Sequence, residues 1–139
     1  CYLLGEGAER ENLLRAAKDA GIADRLFLTG FLENPYAVLS RCDWFVCCSH
    51  REGFSSAAAE ALICGVPVVT VDLPGMREIL GEDEPGGIIC DNNDQALYAC
   101  LCDALRRTSA PLREQAKKRG AFFDKEKAVQ AIEKYLLAL

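Results

Sequence analysis

The chain has 139 residues, of which 50% are hydrophobic and 27% are charged, and its formal net charge is −5. This length and composition suit one soluble globular domain with a sizeable core. The acidic balance argues against nucleic acid as a partner, because proteins that bind its phosphate backbone usually present a basic surface. The apolar runs are far shorter than a membrane span requires.

The chain contains eight cysteines and a single histidine, His50. No two of the cysteines form a C-x-x-C pair, so the spacing predicts no zinc site. Most of them lie within apolar segments, which favours reduced thiols that act as small hydrophobic side chains. We therefore expect a cytoplasmic protein without a bound metal.

Strand patterns and helix patterns alternate along the chain. Apolar runs predict five strands, at 1–4, 25–29, 43–48, 66–71 and 87–90. Helices are predicted at 8–20, 36–41, 57–64, 76–80, from 91 or 93 to about 107, and in two pieces across 111–139. This alternation predicts an α/β fold, a Rossmann-like parallel sheet of about five strands with helices on both faces. We treat residues 1–139 as a single domain.

The burial pattern can also be predicted from the residue spacing. The strands at 43–48 and 66–71 are almost wholly apolar and should be covered on both faces. The helix at 8–20 should bury one face, which carries Leu13, Leu14, Ala17 and Ala20. The helix after the fifth strand should bury Ala96, Leu97, Cys100, Leu101, Ala104 and Leu105. The last helical piece, 125–139, places Ala128, Ile132, Tyr135 and Leu139 on one stripe.

The segment 52–69 reads as a loop, a short helix and a buried strand. Ser55 or Ser56 is predicted to cap the helix, since a hydroxyl can accept from the N–H groups of the first turn. Gly65 fits the left-handed position after the helix, and Pro67 stands just past its end. The loop before this helix follows a strand, and ligands on parallel sheets bind at the carboxyl ends of strands.

Two glutamates mark this segment, Glu52 in the loop and Glu60 in the helix. Glu60 has small or apolar neighbours on every helical bearing, where an ionised carboxylate is costly unless something pairs with it. Helical side chains lean toward the N-terminus, so Glu60 should reach toward the cleft that Glu52 lines. Carboxylates bind hydroxyl pairs, and the start of a helix can bind a diphosphate. Together they predict a nucleotide sugar. The simpler alternatives are a solvated loop carboxylate and a helix-surface carboxylate.

A second motif, Gly5-Glu6-Gly7, follows the first strand. It is similar to the start of a dinucleotide fingerprint, but Arg10 occupies the third glycine position. A tight strand-to-helix turn near the backbone of a ligand is therefore favoured over an NAD site. A phosphorylated receiver domain is also disfavoured, because Ser49 stands where the third strand of such a domain ends in Asp.

The elements around the two glutamates form a larger pattern: Glu52-Gly53-Phe54, Glu60-Ala61, Gly65-x-Pro67-Val68-Val69, Asp72 and Gly75-x-x-Glu78. This pattern resembles the donor-binding core of the family 4 retaining glycosyltransferases of the GT-B fold. The segments 3–7, 28–31 and 43–49 extend the resemblance over most of the chain.

The resemblance implies a role for each candidate site residue. Glu52 would be the catalytic residue, in contact with hydroxyls of the transferred sugar, and Glu60 would hold the ribose hydroxyls. The other donor-binding residues would be Gly53, Phe54, Ser55 and Ser56 near the diphosphate or sugar, Gly5 and Gly7 in the first turn, and Gly30 and Phe31 near the base. The donor would be a UDP-, GDP- or ADP-sugar. A hexosyl group would pass with retention to a glycan, lipid or small-molecule acceptor, without a cofactor or bound metal.

The resemblance also implies that part of the enzyme is absent from this chain. An Arg and a Lys that neutralise the diphosphate, and an N-terminal domain that binds the acceptor, would precede Cys1. We therefore expect a fragment that is inactive alone and that would meet a membrane surface only through the missing part. The alternatives are another GT-B enzyme, such as a nucleotide-sugar epimerase, and a non-catalytic flavodoxin-like interaction module.

Overall fold

The computed structural model describes residues 1–81, 86–107 and 109–123. Within these ranges the chain forms five strands and six helices. In chain order they are β1 (Tyr2–Leu4), α1 (Arg10–Asp19), β2 (Phe27–Gly30), α2 (Tyr36–Leu39), β3 (Phe45–Cys47), α3 (Ser56–Ile63), β4 (Val68–Val71), α4 (Pro74–Leu80), β5 (Gly87–Cys90), α5 (Asp94–Arg106) and α6 (Ala110–Gly120). The predicted α/β class is confirmed. The predicted helical piece at 125–139 lies outside the described residues.

The strands pair in parallel, as predicted, and form two sheets. β1 pairs with β2, and β3, β4 and β5 form a second sheet with β4 in the centre. The contacts of the chain divide it into two compact units, Cys1–Val38 and Leu39–Leu139. We call these the first unit and the second unit and describe each by itself. The assignment of the whole chain to a single domain stays a prediction.

The first unit contains the two-stranded sheet and α1. Its buried residues are Ala17 and Gly30, within a segment that is otherwise exposed or half-buried. Leu13 and Leu14 are each 40% exposed, so their predicted burial is wrong. The reason is that two short strands offer too little surface to cover a whole helix face. Strand β2 also begins two residues later than predicted, because a 3₁₀ turn occupies Ala23–Arg25.

The second unit contains the hydrophobic core. All four residues of β4 are buried, which confirms the predicted cover on both faces. Against β4 pack the fully buried side chains Leu62 of α3 and Met76, Ile79 and Leu80 of α4. Burying a side chain of this size contributes about 1.5–3 kcal/mol to folding.

Two predictions of burial in the second unit are wrong. Val46 of β3 is 41% exposed, because β3 is an edge strand that pairs only with β4 in its sheet. Leu105 of α5 is 79% exposed while the neighbouring Ala104 is buried, so the inner face of α5 is narrower than its sequence indicates.

Helix α6 holds the C-terminal end of α3. The guanidinium group of Arg113 donates to the backbone oxygens of Gly65 and Cys42. Gly120 allows close packing, because a Cβ there would lie 2.4 Å from the carbonyl oxygen of Leu62. These contacts fix the helix whose opposite end lies in the candidate site.

Candidate functional site

The N-terminus of α3 is capped by Ser55, one of the two serines that the sequence offered. Its Oγ accepts from the N–H of Ala58 at 3.4 Å, and its side chain is almost fully buried. The first helical backbone bond runs from the N–H of Ala59 to the carbonyl of Ser55. The N–H groups of Ser56 and Ala57 therefore precede the helical bonding pattern and lie at the positive end of the helix dipole, where an anion binds well.

The C-terminus of α3 is a Schellman motif. Gly65 has φ +70°, the left-handed conformation that the sequence predicted for it. Its N–H donates to the carbonyl of Leu62, and the N–H of Val66 donates to that of Ala61. The chain then turns directly into β4, so α3 has a defined length and its N-terminus has a defined position.

A cavity of about 380 Å³ opens where β3 ends and α3 begins. Its lining residues are Phe45, Val46, Cys47, Cys48, Ser49, Glu52, Ser55 and Ala57. The volume is near the lower end of the range for small-molecule sites, about 300–1,000 Å³. The cavity can therefore accept part of a ligand the size of a nucleotide sugar. It lies at the carboxyl end of a parallel strand, where the sequence predicted a ligand site.

The thiol of Cys47 lies at the centre of the polar groups in this cavity. Cys47 Sγ is 3.7 Å from Glu52 Oε2, 3.8 Å from Ser49 Oγ and 3.9 Å from Ser55 Oγ. The apolar sequence around Cys47 predicts a small hydrophobic side chain and does not reveal this cluster. The signal that could have found it is its position, the last residue of a strand that leads into the loop of Glu52.

The environment of Glu60 differs from the predicted one. The helix has an open face, on which Ser56, Ala57 and Ile63 are exposed and Glu60 is half-buried. The carboxylate is therefore not enclosed by apolar groups, because the buried residues of α3 lie on the opposite face. Together with burial, which is the larger cause, its charge raises the pKa of the Cys64 thiol.

The cavity wall includes Ala57, one turn before Glu60 on the same helix face, but not Glu60 itself. The open face of α3 thus continues from the cavity toward this carboxylate. A ligand that fills the cavity and extends along α3 would pass Glu60. The assignment of Glu60 to ribose hydroxyls stays a prediction.

The loop between Glu52 and Ser55 rests on the start of α4. A Cβ on Gly75 would lie 1.6 Å from the carbonyl oxygen of Gly53, so only glycine fits there. The ring of Phe54 is 57% exposed and meets Phe123 edge-on, with 6.2 Å between ring centroids. Gly75 therefore allows the loop to pack directly against the start of α4.

Next to this loop, Arg77 forms a two-pronged ion pair with Asp72. Its Nε and Nη2 donate to the two carboxylate oxygens at 2.9 and 2.7 Å. The hydrogen bonds and charge of Arg77 hold the pKa of Asp72 below its usual value. The guanidinium group of Arg77 is thus bonded on two sides to this carboxylate.

The other predicted donor-binding residues lie in the first unit. Gly5 and Gly30 both have positive φ, and the N–H of Gly5 donates to the carbonyl of Gly30 at 2.9 Å. Gly7 has open space around it, and Phe31 is 83% exposed. The structure thus brings Glu52, Ser55 and the start of α3 together within the second unit. The roles of Gly5, Gly7, Gly30 and Phe31 stay predictions.

Three further observations bear on the chemistry of the chain. All eight cysteines are free thiols. Across the described residues, no three side chains of His, Cys, Asp or Glu gather as metal ligands. No helix within those residues is long and apolar enough to cross a membrane.

The chain belongs to the family described as glycosyl transferases group 1, whose model matches residues 1–122. It is 34% identical over 138 residues to N-acetylgalactosamine-N,N'-diacetylbacillosaminyl-diphospho-undecaprenol 4-alpha-N-acetylgalactosaminyltransferase of Campylobacter jejuni, which covers 97% of this chain and 38% of that protein. It is 35% identical over 124 residues to D-inositol 3-phosphate glycosyltransferase of Thermomonospora curvata, covering 84% of this chain and 27% of that protein. The chain thus spans less than two fifths of the length of these two relatives.

Solved structures agree on the fold. Anabaena HepE in complex with UDP superimposes with a TM-score of 0.77 at 24% identity, over 99% of this chain and 40% of that one. The pneumococcal O-GlcNAc transferase GtfA in complex with UDP and GlcNAc superimposes with a TM-score of 0.82 at 21% identity, over 99% of this chain and 29% of that one. At these identities the similarity establishes the fold.

Proposed function

We infer that this chain is the donor-binding part of a retaining, family 4 GT-B glycosyltransferase that transfers a hexosyl group from a nucleotide sugar. The observation that carries the proposal is the cavity at the end of β3, where Glu52 and the Ser55-capped start of α3 meet. A carboxylate that accepts from hydroxyls and a helix start that binds phosphate are the two recognition elements of a nucleotide sugar.

The proposed roles of the site residues follow their order from the cavity at the end of β3 along α3. Glu52 accepts hydrogen bonds from the sugar, and the N–H groups of Ser56 and Ala57 face the diphosphate. Glu60, further along the open face of α3, accepts from the ribose. Gly53 and Phe54 are assigned to the sugar and phosphate, and Gly30 and Phe31 are assigned to recognition of the base.

The reaction explains why a helix start suits this place. Negative charge grows on the departing nucleotide diphosphate as the sugar–oxygen bond breaks, and groups already oriented toward that charge lower the barrier. The Arg and Lys that would neutralise the diphosphate, and the acceptor site, are assigned to a part of the protein outside this chain. This assignment accords with the small share of the relatives' length that the chain spans. The chain alone is therefore expected to be inactive, and the whole enzyme acts in the cytoplasm.

UDP-sugars are the first donors to test, because two of the similar structures were solved with UDP. Titration of the full-length protein with UDP-, GDP- and ADP-sugars, followed by calorimetry, identifies the base. Saturable binding of one of them is expected, and no binding of any would favour the non-catalytic interaction module.

The ribose assignment is tested with the variant Glu60→Ala in the full-length protein. It should weaken donor binding by about tenfold or more, because it leaves a ribose hydroxyl pair without its charged acceptor. Glu11→Ala, an exposed carboxylate of α1, is the control for loss of one negative charge. Donor affinity and activity near wild type in Glu60→Ala would refute the ribose assignment. An epimerase would instead convert the donor without an acceptor.

A further inference from the structure

We propose that Cys47 is a positioning residue, whose thiol holds Glu52 in place for the sugar of the donor. This inference rests on the proposed function of the cavity. Cys47 is 8% exposed, and its thiol lies within 4 Å of three side-chain oxygens, those of Glu52, Ser49 and Ser55. No other side chain of the cavity contacts so many of its polar groups.

The number of protons available determines which group donates in each hydrogen bond of this cluster. Ser55 Oγ already accepts from the N–H of Ala58, so its own hydroxyl proton is available to donate to the sulfur of Cys47. An ionised carboxylate can only accept, so the thiol proton goes to Glu52 Oε2. The chain of donors runs from the start of α3 through Ser55 and Cys47 to Glu52.

The two residues joined by the Cys47–Glu52 hydrogen bond differ in how firmly their backbones are held. Cys47 is the last residue of β3 and is registered with Thr70 of the buried strand β4. Glu52 lies in the loop between β3 and α3, and its side chain makes no other hydrogen bond or ion pair to the described residues. The thiol therefore ties a loop carboxylate to the sheet.

This tie leaves the second oxygen of Glu52 for a ligand. Oε2 is held by the thiol, and Oε1 is available to accept from a sugar hydroxyl at the cavity. A carboxylate fixed in this way loses less side-chain entropy when the sugar binds, which increases affinity without any direct contact between Cys47 and the donor.

The variants Cys47→Ala and Cys47→Ser in the full-length protein test the inference, with UDP and UDP-glucose as the probes in calorimetry. Cys47→Ala should weaken UDP-glucose binding by about three- to tenfold and leave UDP binding within about twofold, since only the sugar contacts Glu52. Cys47→Ser retains a donor and should recover most of the loss. Cys42→Ala, which truncates a half-buried cysteine packed against the same core, controls for loss of packing.

An equal weakening of UDP and UDP-glucose in Cys47→Ala would show a packing role and overturn the inference. So would full retention of UDP-glucose affinity in that variant.

An infrared measurement separates this inference from the proposed function. The S–H stretching band of Cys47 is isolated by subtracting the spectrum of Cys47→Ser, and it should move to higher frequency in Glu52→Ala when its acceptor is lost. An unchanged band would overturn the inference even if donors bind. If neither UDP nor UDP-glucose binds the wild type while the band moves, the proposed function fails and the thiol–carboxylate bond stands.

Discussion

The two units of the chain differ in how much of their apolar surface is buried. The first unit contains α1 and a two-stranded sheet, and only Ala17 and Gly30 are buried in it. In the second unit β4 is enclosed by two strands and by α3 and α4, and its four residues are all buried. Similar apolar patterns in the sequence thus lead to different burial, because burial depends on how many elements surround a strand.

This difference bears on the candidate site. The loop of Glu52 is attached to the buried core by Cys47 on one side and by Gly75 on the other. The turn at Gly5 is attached to Gly30 in a sheet of two short strands. We therefore expect higher protection from hydrogen exchange in β4 and α3 than in β1 and β2.

The largest effect should come from truncating a core side chain of the second unit. Leu62→Ala removes a fully buried side chain and should cost about 2–5 kcal/mol of unfolding free energy, whereas the half-exposed Leu13→Ala should cost less than about 1 kcal/mol. Urea unfolding, followed by the fluorescence of Trp44, the chain's single tryptophan, measures the loss in Leu62→Ala. Circular dichroism measures both. Equal losses would contradict the assignment of the core to the second unit.

The next effect concerns close backbone packing at the site. Gly75→Ala places a Cβ against the carbonyl of Gly53 and should destabilise the protein by about 1–3 kcal/mol. Gly7→Ala in the first unit meets nothing within 4 Å and should change stability by less than about 0.5 kcal/mol. The unfolding free energies of the two variants, compared in the same denaturant, test this. A neutral Gly75→Ala would mean that the loop does not rest on α4.

A smaller effect should follow from the arginine that caps α4. The guanidinium of Arg119 donates to the carbonyls of Ile79, at 2.8 Å, and Glu78, which lie at the end of that helix. Arg119→Met keeps the apolar stem but loses these bonds and should cost about 1 kcal/mol. Arg25→Met in the first unit removes only an exposed pair with Asp24 at 4.0 Å and should cost about 0.5 kcal/mol or less. Thermal unfolding ranks the two variants, and the reverse order would refute the capping role.

The smallest effect is a dependence of stability on pH. The pKa of Asp72 is lowered in the folded state, so its stabilising contribution is present above its ordinary pKa of 3.8 and is lost as the pH falls through the folded value. Asp72→Asn should therefore be less stable than wild type at neutral pH, with a gap that closes below about pH 4. Urea midpoints from pH 7 to pH 2 measure this gap. Asp24→Asn is the control, and a gap that widens toward low pH would contradict the pairing with Arg77.

The sequence alone predicted the order of the elements well. The Ser55 cap, the positive φ of Gly65 and the buried strand β4 follow from local signals, namely a hydroxyl before a helix, a glycine after it and an apolar run. Burial at Val46 and Leu13 was predicted wrongly because it depends on neighbouring strands that are distant in sequence.

The candidate site was predictable in part. The sequence predicts that the Glu52 loop and the start of α3 lie close together, because a loop after a strand and the helix that follows it share one edge of a parallel sheet. The role of Cys47 could not, since an apolar strand gives no sign that its last thiol meets three oxygens. The open face of α3 beside Glu60 was also hidden, because α3 is rich in small residues on every side.

We propose that a nucleotide sugar binds at the end of β3 and along α3. Hydrogen exchange of the full-length protein, with and without UDP-glucose, tests it most directly. We expect ligand-induced protection of the amides from Ser49 to Glu60, with little change in α5. Protection confined to α5, or its absence from the Ser49–Glu60 segment while UDP-glucose is bound, would show that the donor binds elsewhere.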